Sequence, residues 1–356
     1  MKKLFKRTFA VFTAVALLTG CNSGSSSPAK SRDVKITVMV DNLGDTSYND
    51  GIVQELRQSE ERYKSSDEFN LFVNVFEMQT GTENEQAEME LAFQDDSELI
   101  IIANQRAFPI LEPAAAHFPE KNFVLIDMEA TGANIFSAIF NPNEAAYLCG
   151  FLAAKMSETG IIGIVIGQDI PALHDFAVGY IQGASAADLN CKVIVSTVGN
   201  FYDAEIGYEL AEKQFERGAD ICFSVAGGAG LGCIKAASDL GYYVIGVDID
   251  QAEHVEPELK GAIITSCLKN FDMLIAAVLD EYLADNLNFG GARRFGLKEG
   301  AVGIARNQNY FSMVPAEIQA EIDEIEEKIS SGDVRVRSAY EMTQTEIDDL
   351  FRSVRP

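Results

Sequence analysis

Histidine is scarce in this chain, at three of 356 residues. His117, His174 and His254 stand far apart, none at metal-ligand spacing from a cysteine, so no metal site is expected. No C-x-x-C pair occurs. Beyond Cys21, the cysteines Cys149, Cys191, Cys222, Cys233 and Cys267 are odd in number and have mostly apolar neighbours such as Leu148 and Ile221, which predicts buried thiols and not a disulfide framework. Basic residues are also short: 28 Lys+Arg face 54 Asp+Glu, a formal net charge of −26. That balance excludes nucleic acid as a partner and otherwise reads as a solvated surface. Long apolar runs are missing after the first twenty residues, so no later segment is expected to cross a membrane. The folded part contains no internal repeat and no low-complexity tract.

What the sequence does have starts with Lys2, Lys3, Lys6 and Arg7, then an apolar run over 10–18, then Thr19-Gly20-Cys21. This is the pattern of a secretion signal over residues 1–20. The run is too short to span a bilayer comfortably, and Leu18-Thr19-Gly20-Cys21 resembles a bacterial lipobox, in which the cysteine thiol is acylated. Cys21 is therefore expected to be the lipid-bearing mature N-terminus. Residues 21–32, rich in serine, read as a flexible tether. The remaining chain of about 320 residues exceeds the size at which one core stops growing, so two domains are expected.

Runs of β-branched residues alternate with helical patterns. Strands are predicted over 34–40, 71–76, 99–103, 123–127 and 135–140; after a helix over 144–157 the alternation restarts, with strands over 161–166, 193–198, 221–225 and 243–247. This is the βαβ signature of two parallel-sheet units, and near-continuous apolar strands such as Ile161-Ile162-Gly163-Ile164-Val165-Ile166 imply sheets covered on both faces. The fold class is α/β, two Rossmann-like lobes with a cleft between them. Ligands of such sheets bind beyond the carboxyl ends of the strands, which directs attention to 41–50, 104–108, Asp127, 168–176, 226–232 and 248–251. Two lobes facing each other across a cleft, on a lipid tether, suggest a solute-binding clamshell. Near the end, Ile318, Ile322, Ile325 and Ile329 at helical spacing, with Pro315 ahead and Gly332 behind, predict a packing helix.

Several segments carry a family likeness: Asp45-Thr46-Ser47-Tyr48-Asn49-Asp50, Asn122-Phe123-Val124-Leu125-Ile126-Asp127, Glu144-Ala145-Ala146-Tyr147-Leu148-Cys149-Gly150, Gly167-Gln168-Asp169-Ile170-Pro171, Ala226-Gly227-Gly228-Ala229-Gly230-Leu231-Gly232, Gly246-Val247-Asp248-Ile249-Asp250-Gln251 and Ser266-Cys267-Leu268-Lys269-Asn270. In this order the chain resembles the basic membrane protein (BMP) lipoproteins, purine-nucleoside-binding proteins of the type I periplasmic-binding-like group. The resemblance implies an N-terminal lobe of 33–139 plus 266–296 and a C-terminal lobe of 140–265 plus 297–356, joined by three crossovers. It implies capture of a nucleoside, most of all a purine nucleoside, for an ABC permease and its ATPase subunits, outside the cytoplasm, without cofactor or catalysis.

The resemblance also places the ligand. A purine nucleoside offers a flat base and a ribose diol, which call for aromatic faces and hydrogen-bonding carboxylates. Tyr48, where the family usually has phenylalanine, and Phe176 match its stacking positions; by periodicity alone Phe176 reads as helix core. Asn49 and Asp50 offer groups for a base edge, or else form a turn that caps the adjoining helix. Asp127, Asp248 and Lys269 match the ribose-binding set, and alternatively pair with one another across the lobes. Gly227 and Gly228 let backbone N–H groups approach a ligand; the G-x-G-x-x-G spacing of a dinucleotide loop is not met. At Asn104-Gln105-Arg106 the family more often has a glycine-rich, apolar stretch, so Asn104 or Arg106 reaching the cleft would open the site to a different ligand, such as a pyrimidine nucleoside or a modified base. A ligand sensor of the same fold is the second reading, and a nucleoside hydrolase acting through Asp45, Asp127 or Asp248 the third.

Overall fold

The structure, a computed structural model, describes residues 32–64, 66, 68–78 and 85–356; the signal, Cys21 and the expected tether up to residue 31 lie outside the described residues, and Arg32, counted with the tether, opens the first strand. In chain order come β1 (Arg32–Val40), α1 (Tyr48–Tyr63), β2 (Phe69–Glu77), α2 (Glu85–Gln94), β3 (Leu99–Ile102), α3 (Phe108–His117), β4 (Asn122–Ile126) and β5 (Ile135–Phe140). The alternation resumes with α4 (Pro142–Met156), β6 (Ile161–Ile166), α5 (Pro171–Ala187), β7 (Lys192–Thr197), α6 (Ala204–Glu216), β8 (Ile221–Val225), α7 (Gly230–Leu240), β9 (Tyr243–Asp248), α8 (Gln251–His254) and β10 (Ile263–Lys269). The chain closes with α9 (Phe271–Leu283), β11 (Gly291–Phe295), β12 (Val302–Ile304), α10 (Gln308–Met313), α11 (Ala316–Ser331) and α12 (Gln344–Ser353).

The strands form two six-stranded sheets, in the orders β11-β5-β4-β3-β1-β2 and β12-β10-β9-β8-β6-β7. Among the described residues every strand pairing is parallel except β10 with β12. The expected α/β class is the one observed. Alternate residues of single strands supply cores on opposite sheet faces: Ile162, Ile164 and Ile166 of β6 belong to one cluster and Val165 to another. The same holds for Val34, Ile36 and Val38 against Met39 of β1. This two-residue period, with apolar residues at both phases, is why the strands read as unbroken apolar runs.

Each sheet with its packed helices is called a lobe below. The chain passes between sheets three times: after β5, after β10 and after β11. Residues 266–269, assigned to the first lobe on the family resemblance, are the last four of β10 and pair with β9 and β12 in the second sheet. In both sheets the starting strand is internal, β1 between β2 and β3 and β6 between β7 and β8. The reversal of strand order beside it opens a crevice at the carboxyl ends. The predicted packing helix is α11, preceded by Pro315 and ended by Gly332 at φ 85; it buries Ile322 and Ile329 and lies on α4. Among the described residues no helix is long and apolar enough to cross a membrane.

Candidate functional site

The loops after the strands of both sheets enclose a cavity of about 440 Å³, within the usual range of about 300–1,000 Å³ for small-molecule sites. Its floor is charged. Lys269, at the end of β10, donates to Asp127 Oδ2 at 2.5 Å and stands 3.8 Å from Asp248 Oδ1. Asp127 comes directly after β4 and Asp248 ends β9, so the two carboxylates come from different sheets. Both aspartates are left-handed, at φ 58 and 65. Such backbone is uncommon for a residue with a side chain and concentrates at functional sites.

All three side chains are nearly buried. Burial works against the Lys269 charge, but Asp127 and Asp248 outweigh it and hold its pKa above the ordinary value. Burial also raises the Asp248 pKa, with Lys269 and the Ser47 hydroxyl opposing. A buried charged group of this kind is costly to maintain and is weak support for stability, so its place on a cavity floor points to use. Asp127 Oδ1 already accepts the Phe140 N–H at 2.9 Å. Each carboxylate oxygen takes two donors, so both acids can still receive hydroxyls.

Above the floor lie aromatic rings. The Lys269 ammonium sits over Tyr48, Phe176 and Phe140, at 4.7, 5.2 and 5.6 Å from their centroids. Tyr48 comes from α1 in the first lobe and Phe176 from α5 in the second, and both line the cavity. The Tyr48 hydroxyl donates to the Ile126 carbonyl at 3.2 Å, which gives the extra oxygen a partner inside the first lobe. Phe176 is 1 % exposed and meets Phe223 edge-on, so it is core residue and cavity wall at once. Phe201 and Tyr202, beyond β7, add a second aromatic wall, with Tyr202 59 % exposed. Sequence reasoning passes over these two rings, although they stand just past the carboxyl end of a strand, as the other lining residues do.

The loop from β1 to α1 is ordered by its own polar groups. Asn49 lines the cavity, yet its Oδ1 accepts the Asp41 N–H at 3.1 Å and its Nδ2 donates to Asp45 at 2.9 Å. Asp50 is not part of the lining: its carboxylate accepts the N–H groups of Gly44 and Thr46 and so ties the loop ahead of α1 without capping the helix. Asp45 does line the cavity and accepts the N–H groups of Ser47, Asn49 and Asp50 at the start of α1. Burial pushes its pKa up to about 6 despite those bonds. Gly227, at φ 54, and Gly228 line the opposite wall, and a Cβ at Gly228 would come 3.2 Å from the Phe201 carbonyl and 3.8 Å from Asp45. Asn104 is buried and donates to Asp41 at 2.9 Å. Arg106 reaches the cavity and is ion-paired with Asp41. Asp127, Asp248, Lys269, Tyr48, Asn49, Phe176, Gly227 and Gly228 are thus brought to one cavity.

Comparison with known proteins points the same way. The profile of the family described as ABC transporter substrate-binding protein PnrA-like matches residues 34–338. Basic membrane protein A of Borreliella afzelii is 30% identical over 318 residues, covering 86% of this chain and 93% of that protein. Basic membrane protein A1 of Borrelia garinii subsp. bavariensis is 29% identical over 342 residues, covering 93% and 96%. Among solved structures, an ABC transporter solute-binding protein from Aeropyrum pernix K1 superposes with a TM-score of 0.77 at 22% identity, covering 91% of this chain and 97% of that one. A LacI transcriptional regulator from a Rhodococcus species shares the fold at a TM-score of 0.59 and 12% identity, over 76% of this chain and 96% of that one.

Proposed function

The chain belongs to the family of PnrA-like ABC transporter substrate-binding proteins, and on that premise we propose that it captures a nucleoside, foremost a purine nucleoside, between its lobes for an ABC importer. The permease and ATPase subunits are its partners, and a lipid on Cys21 ties it to the outer face of the cell membrane. Proteins of this family bind their solute and release it unchanged. One observation carries the reading: Tyr48 and Phe176, from opposite lobes, flank the same ammonium that pairs with Asp127 and approaches Asp248. The rings offer stacking faces for a base, and the two carboxylates offer acceptors for a vicinal diol. A diol held by acids from both lobes favours the form in which they are close, which is the shape an importer would read.

The test is calorimetry on purified protein freed of carried-over ligand by unfolding and refolding. Adenosine, guanosine, inosine, cytidine and uridine are titrated, with ribose and free bases as controls. One-to-one binding of purine nucleosides, with no product formed, is expected. Heat from none of the five refutes the nucleoside assignment and leaves the family standing. Loss of nucleoside uptake on deletion of the gene separates transport from sensing by the same cleft.

A further inference from the structure

The lobes touch through their own atoms beside the cavity floor. Ser47, fully buried just ahead of α1, donates its hydroxyl to Asp248 Oδ2 at 2.5 Å across the cleft. Gln251, at the start of α8, donates Nε2 to the Thr46 carbonyl at 3.0 Å. Both ends of this second bond are held rigidly. Gln251 Oε1 accepts the Val247 N–H and its own N–H donates to Ser266. Thr46 is left-handed at φ 44, and its N–H is bound by Asp50. The first turn of α1 also seats directly on the second lobe, because a Cβ at Gly51 would come 3.1 Å from the Ile249 side chain just past β9. These contacts involve only protein atoms, so closure along this line does not require a ligand to bridge it.

We propose that Ser47 and Gln251 form a latch that draws the lobes together from the protein's own side, and that Ser47 is the positioning residue that aims Asp248 at the ligand. The second half rests on the reading that Asp248 holds a nucleoside hydroxyl. With Oδ2 fixed by Ser47, Asp248 presents Oδ1, beside Lys269, as the acceptor for that hydroxyl. The Ser47 bond also counteracts the burial that would otherwise favour the neutral acid, a weaker acceptor. Because Ser47 and Asp248 belong to different lobes, the carboxylate is oriented only when the lobes are together. Closure by the latch thus orients the acceptor before a ligand arrives.

Ser47→Ala and Gln251→Glu test the latch from opposite lobes, the glutamate keeping the acceptor for Val247 while removing the donor. Small-angle scattering without added nucleoside is expected to show a compact parent and two more extended variants, with circular dichroism unchanged. Stopped-flow binding of adenosine, guanosine and inosine is expected to show Ser47→Ala weaker by roughly tenfold to hundredfold for every ligand the parent binds, as for loss of a bond to a charged group. The loss should appear as faster dissociation. A parent and variants of equal dimensions overturn the latch. Unchanged affinity in Ser47→Ala overturns the positioning role. If the parent binds none of the three, the nucleoside reading fails, and the scattering comparison still decides the latch.

Discussion

Asp127 and Asp248 show how far single residues are legible. Each is recognisable as an acid at the end of a strand, but their left-handed backbone and their meeting at Lys269 depend on two sheets folding face to face. Phe176 is ambiguous for a physical reason: the helical spacing that makes a core residue also points it at the mouth of β8, and the structure gives it both roles. Asn104 and Arg106 stand out as polar, yet their shared partner Asp41 lies more than sixty positions away and no local pattern links them. Phe176→Ala is expected to weaken purine nucleoside binding by about 1–3 kcal/mol through lost stacking, and Asp248→Ala by about 1.5–3 kcal/mol or more. Calorimetry on the two variants checks both, with Phe311→Ala, an exposed ring outside the cavity lining, as the unaffected control.

Asp175, the neighbour of Phe176, supplies a pH prediction. It is fully buried and accepts the Ser338 hydroxyl at 2.6 Å and the Ala339 N–H at 2.7 Å, and burial raises its pKa from an ordinary 3.8 to about 6. A raised acid binds its proton more tightly when folded, so its contribution is fully present below pH 3.8 and is lost as pH climbs through about 6. Each tenfold difference in proton affinity is worth about 1.4 kcal/mol. Asp175→Asn cannot titrate. Urea unfolding at pH 4 and pH 7 should therefore show the parent losing about 1–3 kcal/mol relative to the variant as pH rises. Parallel pH profiles would refute the assignment.

At the scale of elements, strong periodicity is readable and weak edges are not. The four isoleucines locate α11, and the structure buries Ile322 completely while leaving Ile318 and Ile325 at the margin of the core. Ile322→Ala is expected to cost about 2–5 kcal/mol, as cavity-forming changes in cores do, and Ile318→Ala clearly less; thermal or urea unfolding ranks them. By contrast, β11 reads Gly-Ala-Arg-Arg-Phe and β12 is three residues long, and both lie at sheet edges. Edge strands tolerate charge and need no apolar alternation, so the criterion of apolar runs passes over them; it also passes over the internal β10, whose apolar start is interrupted by Thr265 and Ser266. The Arg293 guanidinium fits its edge by lying over Phe136 and Phe295, at 5.6 and 4.7 Å.

At the scale of the molecule, the alternation of strands and helices is enough to give two parallel sheets, while the order of crossings comes only from family resemblance and the pairing of β11 and β12. The proposed anchor belongs to this scale too. Cells fed labelled palmitate are expected to label the parent and not Cys21→Ala, with the variant recovered in the medium or the soluble fraction; equal labelling would refute acylation at Cys21. The crossing after β10 carries one more implication. β5 is covered on its outer edge by β11, which comes some 150 positions later. A chain threaded out of the cytoplasm from its N-terminus thus delivers five strands of the first sheet, and then nearly all of the second, before the strand that seals β5 arrives. Through that interval a bare β edge faces the compartment, and unpaired edges are where chains associate wrongly. The first sheet is therefore complete only when the last seventy or so residues have arrived.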